Sequence, residues 1–384
     1  MTLITSTKDL KDLCQRWNKE PFITVDTEFV RTRTFYSQLC LVQVGSSTEA
    51  VAIDVLARDL DFKPFMEVLK NQKVLKVFHA GRQDVEIFFQ MDGVIPAPIF
   101  DTQIAAMVCG YGESAGYETL VKGITGHNLD KSQRFTDWSK RPLNKHQLEY
   151  AIGDVTYLRE IYQRLSGQLE RNNRSGWLEE EMKVLTSPET YQCLPENAWK
   201  RIKVRSSNRR FLARVQALAA LREVEAQTKD VPRNRIYDEK TLLQLAAHAP
   251  KNQKELDNAL SHYRHLRGSR LGPAILAAIK MADDLPDSKL PKKSALRNHT
   301  KIPEGSIELL KVLLKHQCSD AGVAPKLVAT VADLEDFARG NNKPPAFTRG
   351  WRHDLFGKYA EDLVRGRIAL SVSPRGITIS KAGK

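Results

Sequence analysis

The stretch FITVDTEFV, residues 22–30, decides how this chain of 384 residues reads. Its apolar and β-branched residues suit a core strand, yet it carries two carboxylates, Asp26 and Glu28. Side chains alternate along a strand, so Asp26 and Glu28 share one face while Val25, Thr27 and Phe29 share the other. Two like charges held together repel and lose hydration, and a divalent cation between them is the strongest remedy. A strand end in water would also account for the pair, so the decision rests on the rest of the chain.

The surrounding sequence alternates strand and helix signals. FYSQLCLVQVG (35–45) and EAVAIDVL (49–56) follow as β-rich runs, and with residues 22–30 they predict an antiparallel meander of three strands. KPFMEVLKN (63–71) reads as a helix, KVLKVFH (73–79) as a buried strand and GRQDVEIFFQM (81–91) as a helix. DTQIAAMVC (101–109) reads as a helix opened by an Asp cap. The spacing of Leu148, Ile152, Val155, Leu158 and Ile161 predicts a long amphipathic helix from about residue 141. This is an α/β domain with a mixed sheet. Beyond residue 190 strand signals nearly vanish. Helical segments separated by Pro and Asn turns predict a small all-α domain over 205–282, and a Pro- and Lys-rich linker leads to a second helical unit from 305.

Composition narrows the function class. No apolar run approaches the ~20 residues of a membrane span, and the first residues read as a helix capped by Ser6 or Thr7 rather than as an export signal. The five cysteines are scattered without a C-x-x-C pair, which fits a reducing cytoplasm, with Cys40 and Cys109 as small buried residues. Residues 1–180 hold 22 Lys and Arg against 24 Asp and Glu, a net −2, whereas the remaining residues hold 37 against 22, a net +15. That asymmetry predicts an acidic half that does chemistry and a basic half that grips a polyanion, most simply nucleic acid. On this reading a fragment ending near residue 190 would keep its chemistry without the basic half.

Further acidic and phenolic positions join the first pair. In LEYAIGDV (148–155), Tyr150 and Asp154 stand four apart on a helix, hence on one face. In FHAGRQDVEIFF (78–89), Asp84 lies early in the helix after a buried strand. Singly, these are a solvated pair and a helix-dipole partner.

The ordered set V-D-T-E-F, H-A-x-x-x-D and Y-x-x-x-D resembles the DEDD exonucleases with a tyrosine in the third motif. LCLVQV (39–44), FDTQIAA (100–106), DWSKRPL (137–143) and YAIGDVTYL (150–158) are similar to the ribonuclease D branch of that family. The resemblance implies a ribonuclease H-like nuclease domain over 1–185. It further implies a first HRDC helical domain over 205–282, a linker over 283–304 and a second HRDC-like domain over 305–384, recognisable chiefly by GWRHDLFG (350–357). It implies 3′-5′ removal of nucleoside 5′-monophosphates from RNA, with transfer RNA precursors as substrate. Asp26, Glu28, Asp84 and Asp154 would be the acidic ligands of two divalent ions, Mg²⁺ or Mn²⁺, with Asp26 bridging and Tyr150 as the accompanying phenol. Two such ions supply what phosphodiester hydrolysis demands: an activated water, charge neutralisation and support for the leaving oxygen. An all-oxygen set suits Mg²⁺ or Mn²⁺ rather than zinc. Tyr150, neutral at pH 7, suits orienting the water. Phe29 and His79 are candidates for stacking on and hydrogen bonding to the terminal nucleotide, or for simple packing. The same acidic set also serves a DNA proofreading or repair exonuclease, and a catalytically silent nucleic-acid scaffold is a third reading.

Overall fold

The computed structural model describes residues 2–130, 132–204, 206–260, 271–291, 305–340, 345–374 and 376–382. The strands β1 (Thr2–Ile4), β2 (Phe22–Val30), β3 (Gln38–Gly45), β4 (Ala50–Asp54), β5 (Leu75–Phe78) and β6 (Ile99–Asp101) form one sheet in the order β1-β4-β3-β2-β5-β6. β3 and β4 are antiparallel, with Leu41 opposite Asp54, whereas β1 with β4, β2 with β5 and β5 with β6 run parallel. The sheet is therefore mixed, as expected. β1 and β6 were not expected, since three residues are too short for alternation to register.

Helices flank this sheet. Helix α1 (Thr7–Trp17) is capped by Ser6, whose hydroxyl accepts from the Asp9 N–H, and buries Leu10, Leu13, Cys14 and Trp17. Helices α2 (Lys63–Lys70), α3 (Arg82–Asp92), α4 (Thr102–Val108) and the short α5 (Tyr117–Leu120) follow. Helix α6 (Lys145–Arg171) opens with a reciprocal capping box between Asn144 and Gln147, and its buried stripe comprises Ala151, Val155, Leu158, Ile161, Leu165 and Leu169. Helix α7 (Ser175–Leu185) ends this region. Cys40 is buried and Cys109 half-buried, and the five cysteines are free thiols.

The chain divides into two compact units. One comprises residues 30–38 and 191–296, with helices α8 (Arg209–Thr228), α9 (Arg233–Ile236), α10 (Glu239–His248), α11 (Gln253–Ala259) and α12 (Leu271–Asp283). Its core joins Phe35 to Val215, Leu218, Tyr237, Leu242, Leu245 and Ile275. The Asp230 carboxylate accepts from the Phe35 and Tyr36 backbone N–H groups, both at 3.0 Å, and the Arg233 guanidinium lies 4.6 Å from the Phe35 ring centre. The segment after the carboxylate-bearing strand is thus built into the helical unit.

The other unit comprises residues 1–29, 39–190 and 297–384. Its C-terminal part contains helices α13 (Ser306–Ala321), α14 (Pro325–Val328), α15 (Val331–Ala338), α16 (Gly350–Arg352) and α17 (Lys358–Val364), then the antiparallel hairpin β7 (Ile368–Ser373) and β8 (Gly376–Lys381). The hairpin departs from the all-helical expectation for this end. Leu310, Leu313, Leu334, Phe347 and Phe356 share one apolar cluster with Ala105, Val108, Leu165, Leu169 and Leu178. Trp351 stacks on Trp177 at 4.2 Å, and buried Arg352 donates to Glu180 and Glu181. The expected self-standing fragment ending near residue 190 therefore needs correction: its helices share a core with residues 310–360. Most of the proposed linker, 292–304, lies outside the described residues. No helix among those described is long and apolar enough to cross a membrane.

Candidate active site

β2 places the two carboxylates. Its parallel pairing with β5 runs from Phe22 opposite Leu75 to Thr24 opposite Val77, so Asp26 and Glu28 lie beyond that ladder. The Thr24 hydroxyl, two residues before Asp26, donates to the Val155 carbonyl of α6 at 2.8 Å. Close approach there depends on Gly45, where a Cβ would fall 2.5 Å from the Thr24 hydroxyl oxygen and 3.0 Å from the Val155 carbonyl. Strand and helix are thereby locked one residue from Asp154.

One carboxylate oxygen from each of Asp26, Glu28 and Asp154 lies within 4.8 Å of the others. Asp84, buried in the first turn of α3, lines the same cavity and accepts a hydrogen bond from the Thr27 hydroxyl. Tyr150, one turn before Asp154 on α6, lines the cavity together with it, and its ring lies 6.1 Å from that of buried Trp138. His79 bonds through Nδ1 to the Thr102 hydroxyl at 3.0 Å and packs 5.5 Å from the Tyr117 ring. All seven residues singled out from the sequence, Phe29 included, line one cavity of about 500 Å³.

Confinement raises the proton affinity of every carboxyl in this set. Asp26 is pushed well above its usual range by burial, then by Asp154, Asp84 and Glu28. Burial, then Asp154 and Asp84, lift Glu28 to about 9, against the opposing pull of Arg134. Burial lifts Asp154 to about 7 and Asp84 to about 6, while the nearby Tyr150 hydroxyl and a hydrogen bond from Thr27 respectively hold them down. Tyr150 is raised by burial and then by Asp154, Glu28 and Asp26, so its phenol keeps its proton. Burial lowers His79, more strongly than Asp101 raises it, leaving the ring neutral near pH 7. Half-buried oxygens that repel each other this way form a hard donor set able to hold a divalent cation.

Sequence reasoning missed Thr27, Tyr117 and Arg134. Alternation puts Thr27 on the far side of the strand from Asp26 and Glu28, yet its hydroxyl donates to Asp84. Tyr117 donates to the Gly153 carbonyl at 2.9 Å, bracing α6 beside Asp154. No local pattern marks these residues, because their partners lie far along the chain. The DWSKRPL stretch is explained by Arg141. Its guanidinium forks onto both Asp54 oxygens at 2.7 Å and also donates to the Trp138 and Cys40 carbonyls. Asp54 is buried, so Arg141→Ala should cost about 3 kcal/mol and free the turn beside Tyr150. Chemical denaturation checks this, and an unchanged midpoint would count against it.

Comparison with known proteins gives consistent relatives. A family model described as 3′-5′ exonuclease matches residues 1–170, and one described as HRDC domain matches 211–279. The chain is 47% identical to Ribonuclease D of Jannaschia sp. over 98% of both chains. It is 45% identical to Ribonuclease D of Nitrobacter hamburgensis over 97% of both. The crystal structure of Escherichia coli RNase D, described as an exoribonuclease involved in structured RNA processing, matches with a TM-score of 0.81 and 30% identity over 95% of this chain and 98% of that one.

Proposed function

This chain belongs to the ribonuclease D family of 3′-5′ exoribonucleases, and from that premise we propose that it trims the 3′ ends of transfer RNA precursors in the cytoplasm, releasing nucleoside 5′-monophosphates. The observation that carries the reading is the convergence of Asp26, Glu28 and Asp154 in a cavity that Asp84 and Tyr150 also line. The processing of structured RNA by the E. coli relative supports a folded transcript as substrate.

Asp26, Glu28 and Asp154 would hold one divalent ion, and Asp26 with Asp84 a second, Mg²⁺ or Mn²⁺ in each place. When bound, such ions lower the pKa of a water nucleophile and stabilise charge on the phosphate and the departing 3′ oxygen. The protein's own groups do the positioning. The protonated Tyr150 hydroxyl, one helical turn from Asp154, orients the attacking water, and Thr27 fixes the Asp84 carboxylate. Neutral His79 and Phe29 on the cavity wall receive the terminal nucleotide by hydrogen bonding and stacking. On this reading the nuclease residues fall within 1–185, a first HRDC domain spans 205–282 and a second HRDC-like domain spans 305–384, with 283–304 between them; residues 310–360 complete the nuclease core.

Digestion of a 5′-labelled transfer RNA precursor with an extended 3′ tail tests the proposal. A ladder shortening from the 3′ end, monophosphate products and complete arrest in excess chelator are expected. Products bearing 3′-phosphate, or full activity in chelator, would overturn it. Tyr150→Phe retains ring and charge and loses only the hydroxyl, so kcat should fall by on the order of 10² with metal affinity preserved. An unchanged kcat would remove Tyr150 from the reaction.

A further inference from the structure

The cavity wall carries Asp26, Glu28, Asp84, Glu118 and Asp154 but, among the described residues, Arg134 is its one permanently cationic side chain. It lines that cavity together with Glu28 and Asp154, where a phosphate must arrive. The next residue, Phe135, is 91% exposed. All 14 phenylalanines of the chain lie in described residues, and Phe135 alone is exposed. A single exposed apolar side chain is ordinary. This one differs because it follows a cavity-lining arginine, whose guanidinium carbon lies 5.3 Å from its ring centre.

The turn that displays Phe135 is pinned on its C-terminal side. The Thr136 N–H and hydroxyl both donate to the Gln133 carbonyl, at 3.1 and 2.9 Å, and Gln147 of α6 donates to that hydroxyl. Two residues on, Trp138 is buried and its carbonyl is held by Arg141. The backbone is thus fixed on both the catalytic helix and the sheet, while the ring is left in water. An aromatic face presented with a cation beside it matches the chemistry of a single nucleic-acid strand, whose bases offer π-faces and whose backbone offers phosphates.

We infer that Arg134 and Phe135 form a rim platform for the single-stranded RNA just upstream of the nucleotides the cavity encloses. Phe135 stacks on an upstream base and Arg134 holds the adjoining phosphate. Stacking on an aromatic tolerates any base, so the platform selects for an unpaired 3′ strand of sufficient length rather than for sequence. Both are positioning residues for the same active site, and the inference rests on the exonuclease reading above.

The test compares full-length protein with Phe135→Ala and Phe135→Trp on a ribodinucleotide and on an unstructured ribodecanucleotide. The ratio of wild-type to Phe135→Ala kcat/KM should be about tenfold larger on the decanucleotide, as for loss of one base stack, with the change in KM. Phe135→Trp should restore it. Arg134→Gln should reduce the slope of log KM against log salt by about 0.7, one single-strand phosphate contact, whereas Phe135→Ala leaves that slope as it was. A ratio independent of length, or equal loss in the alanine and tryptophan variants, would overturn the stacking role. An unchanged slope in Arg134→Gln would overturn the phosphate contact. A wild-type protein inert on both substrates would instead sink the exonuclease reading itself.

Discussion

Asp26→Asn and Asp154→Asn are each expected to lower kcat by on the order of 10³ or more, equivalent to several kcal/mol of transition-state stabilisation. Each change keeps the side-chain shape and withdraws one charged oxygen from the set within 4.8 Å. The same variants should be more stable than the parent in chelator, because they relieve repulsion among closely confined carboxylates. The sign follows from linkage. Glu28 is raised to about 9, Asp154 to about 7 and Asp84 to about 6, each above its ordinary range near 4. A carboxyl with a raised folded pKa binds its proton more tightly folded than unfolded, so stability falls as pH rises from about 4 through those values. The metal-free parent should therefore melt at a lower temperature near pH 8.5 than near pH 5.5, and the Asn variants should show a shallower fall. Thermal scans in chelator at several pH values read this directly. Parental kcat in either variant, or a melting temperature flat with pH, would contradict the account of the site.

Removing everything after residue 190 should abolish cooperative folding. The deletion strips Leu310, Leu313, Leu334, Phe347 and Phe356 from a cluster that covers Ala105, Val108, Leu165 and Leu178. It also removes the Trp351 stack on Trp177 and the hydrogen bond from the Ala324 N–H to the Met107 carbonyl at 2.9 Å. Losing several buried large side chains at about 2–5 kcal/mol each exceeds the ~5–15 kcal/mol by which a domain is stable. We expect an aggregating product with no sharp thermal transition by circular dichroism, and no activity on short RNA. A soluble monomer with a sharp transition would show that residues 310–360 are dispensable to the nuclease core.

What the sequence disclosed follows from the range of each signal. Alternation in FITVDTEFV and the four-residue step from Tyr150 to Asp154 are local, and the structure brings those residues into one cavity. The Asp101 cap and the buried stripe of α6 were legible for the same reason. Thr27 on Asp84, Tyr117 on Gly153 and Arg141 on Asp54 were not, since each pairs residues 36 to 87 positions apart. The C-terminal helices showed their apolar faces but not what those faces cover. That is why the charge asymmetry suggested a clean division, whereas residues 297–384 share a unit with the nuclease strands. The hairpin at 368–381 has its apolar residues at alternate positions, a signal outweighed by the helical context before it.

The incorporation of residues 30–38 into the helical unit bears on how this architecture can be recombined. Phe35 is a core residue of that unit, and its backbone and that of Tyr36 are claimed by Asp230. A chimaera that exchanged only 191–296 for a homologous module would bring a foreign socket to a native plug. Transplants should carry 30–38 along with the module, and evolutionary shuffling of the module as a single contiguous cassette would meet the same obstacle. Strand β2 thus makes the helical module heritable only together with a loop encoded about 160 residues earlier.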